Sequence, residues 1–160
     1  VAITRHGDGE AGDPGVQATF AGRTLDIEAR FSGRDRGKVG LDLCRSPDGR
    51  ETTRIVYWQD ARRLSIERER SSLSPQVRRQ NVHAHLALAP EEALDLRVLL
   101  DGSVLEVYAN DRICLCTRLY PTLPESVQAR AFSDGRSTLD LQAWTMGSLF
   151  DGERQVLTRG

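Results

Sequence analysis

Apolar residues in this chain recur at every second position, in short runs about ten residues apart between turn-forming residues, and never hold a 3.6-residue period for long. That rhythm suits antiparallel strands that bury one face and wet the other, and it leaves little room for helix. Ten runs carry it, near residues 24–31, 38–45, 52–59, 62–70, 83–88, 93–100, 103–109, 112–119, 127–133 and 137–146. The expected fold class is all-β, a sandwich or a barrel. With 160 residues, one domain can bury a sizeable core without metals or disulfides.

The clearest ribbon surrounds Asp101-Gly102, a dipeptide favoured in two-residue hairpin turns. Pairing outward from it sets Val98 opposite Leu105, Leu96 opposite Val107 and Leu94 opposite Ala109, with Arg97 opposite Glu106 on the wet face. An opposed ion pair contributes only about 0.2–1 kcal/mol. A one-residue slip would instead expose the whole apolar set, so burial is expected to decide the register. The same arithmetic across Asp60-Ala61 pairs Tyr57 with Leu64, Ile55 with Ile66 and Arg54 with Glu67. An Asn110-Asp111 turn would pair Val107 with Cys114 and Leu105 with Cys116. A three-residue loop from Asp134 to Arg136 would pair Ala131 with Leu139, Ala129 with Leu141 and Arg130 with Asp140. Ser46-Pro47-Asp48-Gly49 should close a further hairpin, since proline presets its φ and glycine accepts a positive one.

The 22 basic and 23 acidic residues are spread along the chain for a net charge of −1, so no basic stripe for nucleic acid or an anionic membrane surface is present. No apolar run approaches the roughly 18 residues that cross a bilayer. Cys44, Cys114 and Cys116 lack zinc-site spacing and read as free thiols, the latter two buried on one strand face, with a bridge from Cys44 to one of them as the alternative. Residues 1–20 read as a loose segment or linker, 21–150 as the sandwich domain and 151–160 as a tail. Residues 71–82 break the alternation and form a long surface connection.

Four pieces in order, LDIEARF, ERERSSLSP, DGSVLEVYAND and LDLQAWTM, span about residues 24–146. Together they resemble the C-terminal β-sandwich module of family 32 glycoside hydrolases, the invertases, inulinases and other β-fructosidases. The resemblance implies a two-sheet, lectin-like sandwich of the concanavalin-like jelly-roll kind, packed against an N-terminal five-bladed propeller where the sugar chemistry takes place. That propeller is the implied partner, with a fructan or other carbohydrate as a further one, and no cofactor is implied. The family's catalytic motifs are an Asn-Asp-Pro stretch, an Arg-Asp-Pro stretch and a Glu-Cys pair. None of them occurs in this sequence, and Gly102 stands where many members carry arginine. No catalytic residue carries over.

Glycoside hydrolysis needs two carboxyl groups about 5–10 Å apart, whereas the acids here sit in turns or opposite arginines. His83 and His85 share a strand face but lack a third ligand, so no metal site is expected. The serines of SSLSP lack a nucleophile-elbow pattern, and GDGEAGDPG lacks a phosphate-binding lysine. Trp58, beside Arg63 on an outward face, and Trp144, in line with Gln142 and Met146, are the candidates for docking a partner domain or stacking on a sugar. The expected role is a non-catalytic module of a β-fructosidase-like enzyme, with an autonomous lectin-like domain as the alternative.

Overall fold

A computed structural model of the protein describes the backbone of residues 2–8 and, in full, residues 15–147. It contains β1 (Ala2–Asp8), β2 (Val16–Ala21), β3 (Thr24–Ser32), β4 (Lys38–Arg45), β5 (Thr53–Trp58), β6 (Arg63–Glu67), β7 (Val82–His85), β8 (Leu94–Asp101), β9 (Val104–Ala109), β10 (Ile113–Arg118), β11 (Gln128–Ser133) and β12 (Thr138–Thr145), with no helix among the described residues. They form two antiparallel six-stranded sheets, in the orders β1-β12-β3-β8-β9-β10 and β2-β11-β4-β5-β6-β7.

Alternation builds the core. Leu25, Ile27, Ala29 and Phe31 of β3, the inward residues of β8, β9 and β12, and Leu41, Leu43, Ile55, Tyr57, Leu64 and Ile66 of the other sheet form one buried cluster. Fully burying one such large side chain stabilises by about 1.5–3 kcal/mol, well above any single cross-strand pair. Leu94, Leu96, Val98, Leu105 and Val107 are all buried, as the sequence predicts.

The β5–β6 register is the one expected, with Tyr57 opposite Leu64 and Arg54 opposite Glu67. Ser46 accepts from the Gly49 N–H at 2.9 Å, closing the β4–β5 hairpin as expected. The β8–β9 register differs: Val98 faces Val107, Leu96 faces Ala109 and Arg97 faces Tyr108, two residues from the expected pairing. A shift of two keeps every side chain on its face, so burial accepts either arrangement. The loop is Gly102-Ser103 rather than Asp101-Gly102, with Gly102 at φ 56° in the first loop position, as type II′ turns favour. Arg97 therefore leaves Glu106 and bonds Asp26 of β3 at 3.0 Å.

The β9–β10 pairing corrects a second expectation. Val107 faces Leu115, and Cys114 and Cys116 face Tyr108 and Glu106 on the outside. Three residues follow Ala109 before pairing resumes at Ile113, and Asn110 and Asp111 both take left-handed φ values of 50° and 53°. The extra residue turns Ile113 and Leu115 inward, and burying these larger side chains displaces the two small thiols. All three cysteines are free, but Cys114 and Cys116 are exposed while Cys44 is buried. Burial pushes the Cys44 thiol up to about 11. An aromatic disulfide reagent should label two thiols quickly in the native protein and the third only on unfolding; fast labelling of all three would contradict this placement.

The β11–β12 hairpin does not exist. β11 lies between β2 and β4, and β12 lies between β1 and β3, so the chain changes sheets at 134–137. Both strands point apolar residues at the same core from opposite sides, which alternation cannot distinguish from pairing with each other. Arg130 bonds Asp42 at 2.7 Å across the β11–β4 ladder rather than facing Asp140. The crossing is seated on the loop before β4 and on the first residue of that strand: the Arg136 N–H donates to Asp35 at 2.9 Å, and the Asp134 N–H to the Lys38 carbonyl at 2.9 Å.

The segment expected to be loose holds two strands. β1 pairs along its length with β12, and β2 pairs with β11, burying Ala18 and Phe20. Their apolar alternation is short and diluted by charge and glycine, so partner strands far along the chain determine them. The expected tail at 151–160 lies outside the described residues.

Candidate functional site

The two tryptophans do not form one site. Trp58 points outward from β5, between Lys38 and Arg63, with the Lys38 ammonium 4.9 Å from its ring centroid. Trp144 points outward from β12 beside Asp26. The strands belong to different sheets, so the half-buried rings lie on opposite outer faces of the sandwich and cannot contact one partner surface together. Tyr57 points into the core, where its hydroxyl donates to the Leu86 carbonyl at 2.9 Å.

His83 and His85 are exposed on β7, opposite Ser65 and Arg63. The described residues bring together no group of three or more His, Cys, Asp or Glu suited to a metal. The carboxylates are mostly engaged structurally. Asp95 takes both oxygens to Arg30 at 2.8 Å. Asp42, 1% exposed, binds Arg54 at 2.7 Å and Arg130 at 2.7 Å. Burial alone would raise its pKa, but hydrogen bonds from the two guanidinium groups hold it below the ordinary aspartate value.

The most organised polar centre is one that sequence reasoning missed. Glu51, 0% exposed, follows the 46–49 turn and lies between it and β5. Its Oε1 accepts from the Leu73 N–H at 2.9 Å, the Thr122 N–H at 2.8 Å and the Thr122 hydroxyl at 2.7 Å. Its Oε2 accepts from the Leu123 N–H at 3.0 Å and the Ser126 hydroxyl at 2.6 Å. Burial, the largest single influence, raises its pKa, but the Ser126 and Thr122 side-chain and the Thr122 and Leu123 backbone hydrogen bonds together bring it down to about 2. A buried carboxylate that saturated is a clamp rather than a proton carrier. It ties the 46–51 turn to the 68–81 connection and the 119–127 segment, and these loops carry Leu73 and Tyr120, 42% and 49% exposed. The hydroxyl-rich SSLS and the segment YPTLPES supply the donors, but nothing in either names Glu51 as their acceptor.

A shallow groove of about 520 Å³ lies on the outer face of the β3–β8–β9 sheet, lined by Glu28, Arg30, Asp95, Arg97, Tyr108 and Gln142 among others. Tyr108, 38% exposed, is the remaining large exposed apolar side chain among the described residues.

Residues 3–145 match the family described as "Glycosyl hydrolases family 32 C terminal". An acid β-fructofuranosidase of Rosa hybrid cultivar is 34% identical over 90 residues, 52% of this chain and 14% of that protein. A fructan 1-exohydrolase of Bromus pictus is 30% identical over 125 residues, 69% of this chain and 21% of that protein. The crystal structure of exo-inulinase from Aspergillus awamori superposes with a TM-score of 0.77 at 19% identity, covering 92% of this chain and 29% of that one. The chain thus spans between a seventh and a third of the length of these relatives.

Proposed function

The chain belongs to the C-terminal domain family of family 32 glycosyl hydrolases, and from that premise we propose that it serves a β-fructosidase-like enzyme as the non-catalytic sandwich that supports the catalytic propeller. The observation that carries this reading is the Glu51 clamp. It ties together the two loops that carry the exposed Leu73 and Tyr120, and preorganised apolar anchors are what a docking surface needs. The tryptophans can at most contribute separately, Trp58 from one outer face and Trp144 from the other.

The test joins the sandwich to its propeller. Leu73→Ser with Tyr120→Ser should lower the melting temperature of the two-domain protein while leaving that of the isolated sandwich within a degree or two, since exposed side chains contribute little alone. A drop confined to the isolated sandwich, or none in either, would remove this surface from the interface. The isolated chain should release no fructose from sucrose, inulin or levan. Release abolished by Glu106→Gln or Asp101→Asn would overturn the non-catalytic reading.

The groove beside Tyr108 favours a second reading, a carbohydrate-binding domain in which the phenol ring supports a sugar and Glu28 and Gln142 meet its hydroxyls. Titration with inulin-type oligosaccharides decides it: binding lost in Tyr108→Ala supports that role, and no binding at millimolar sugar removes it.

A further inference from the structure

We infer that Cys114 and Cys116 form a two-thiolate site for a soft monovalent cation with the chemistry of Cu(I). Both side chains leave the outer face of β10, the edge strand of its sheet, and both are exposed. The strand is paired to β9 from Ile113 to Arg118, so its backbone is held extended. Same-face neighbours on an extended strand lie about 6.8 Å apart at Cα. That spacing, with side chains running parallel, is at the limit for a disulfide. The strand therefore keeps the thiols side by side and disfavours a bond between them.

Coordination number selects the metal. Structural zinc takes four ligands, whereas the described residues contain no group of three or more suitable ones. Cys44 cannot complete a set, because it is buried on β4 in the opposite sheet. A soft d10 monovalent ion is satisfied by two thiolates, and thiolate sulfur selects it over hard cations. Glu106, opposite Cys116, adds a negative charge beside the pair. Binding forms two S–Cu bonds, releases two thiol protons to solvent and moves no electron.

The experiment titrates the reduced chain, without oxygen, with Cu(I) supplied as its bicinchoninate complex. The expected result is one Cu(I) per monomeric chain, with Cys114 and Cys116 shielded from alkylation when copper is bound. Cys114→Ser and Cys116→Ser should each weaken binding roughly a hundredfold or more, because the second thiolate acts intramolecularly. Both changes are at exposed positions, and circular dichroism verifies that the sheets persist. Half an equivalent with dimer formation would overturn the proposal, since each chain would then lend a single thiol. So would binding that either serine variant retains, or uptake no greater than that of the double-serine chain.

Discussion

Glu51→Ala should remove about 4 kcal/mol or more of stability and lower the melting temperature by roughly 8–16 °C, read by thermal unfolding at neutral pH. Five donors point at this one carboxylate. Each hydrogen bond to a charged group contributes about 1.5–3 kcal/mol, and the sum is not additive because water enters the space left behind. Glu51→Gln keeps the shape but turns one acceptor into a donor facing other donors, so it should recover less than half of the loss. The same group gives a pH signature. Its folded pKa of about 2 lies below the usual 4.5, so its contribution is complete above pH 4.5 and fades as pH falls from there toward 2. Glu51→Ala should therefore flatten the acid limb of the stability profile; an unchanged limb would show that the clamp contributes nothing through its charge.

Gly40→Ala is the second large effect, with an expected loss of at least about 3 kcal/mol. Gly40 sits in β4 between Val56 of β5 and Phe132 of β11. A Cβ there would stand 1.9 Å from the Ile55 carbonyl oxygen and 2.9 Å from its carbon. Those are backbone atoms of a paired strand, so no rotamer change relieves the clash and β4 must separate from β5. Gly102→Ala is the control: nothing lies within 4 Å of its Cβ, and only its φ of 56° opposes a side chain. That change should cost about 1–2 kcal/mol. Denaturant midpoints for the two variants test the contrast, and equal losses would mean that steric approach at Gly40 is not what matters.

Alternation in the sequence locates ten strands and the inward faces of those other than β10, because burial of every second residue is a property of each strand by itself. Register is a property of two strands and the turn between them. At Asp60-Ala61 turn and burial agree, and the pairing is as read. At Gly102 burial tolerates a two-residue shift and the glycine's positive φ decides. At Asn110 two left-handed residues lengthen the loop and invert the exposure of the cysteines. Which sheet a strand joins is still less local, as β11 and β12 show. The Glu51 clamp was illegible for the same reason: its donors lie 22 to 75 positions away, and a lone glutamate after a turn reads as solvated.

The two amino-terminal strands have a consequence for how the molecule comes together. β1 pairs with β12, placing Ala2 beside Trp144, and β2 pairs with β11, placing Phe20 beside Ala129. Each sheet is thus joined by ladders that close loops of more than about a hundred residues, the kind of contact that slows sandwiches to milliseconds or seconds. Within this domain β1 and β2 are synthesised before every other strand and have no sheet partner until β11 and β12 follow. A nascent chain cut short before Gln128 leaves both without a sheet, and the hairpins from β4 to β10 must collapse around a core that still lacks the flanking strands of each sheet.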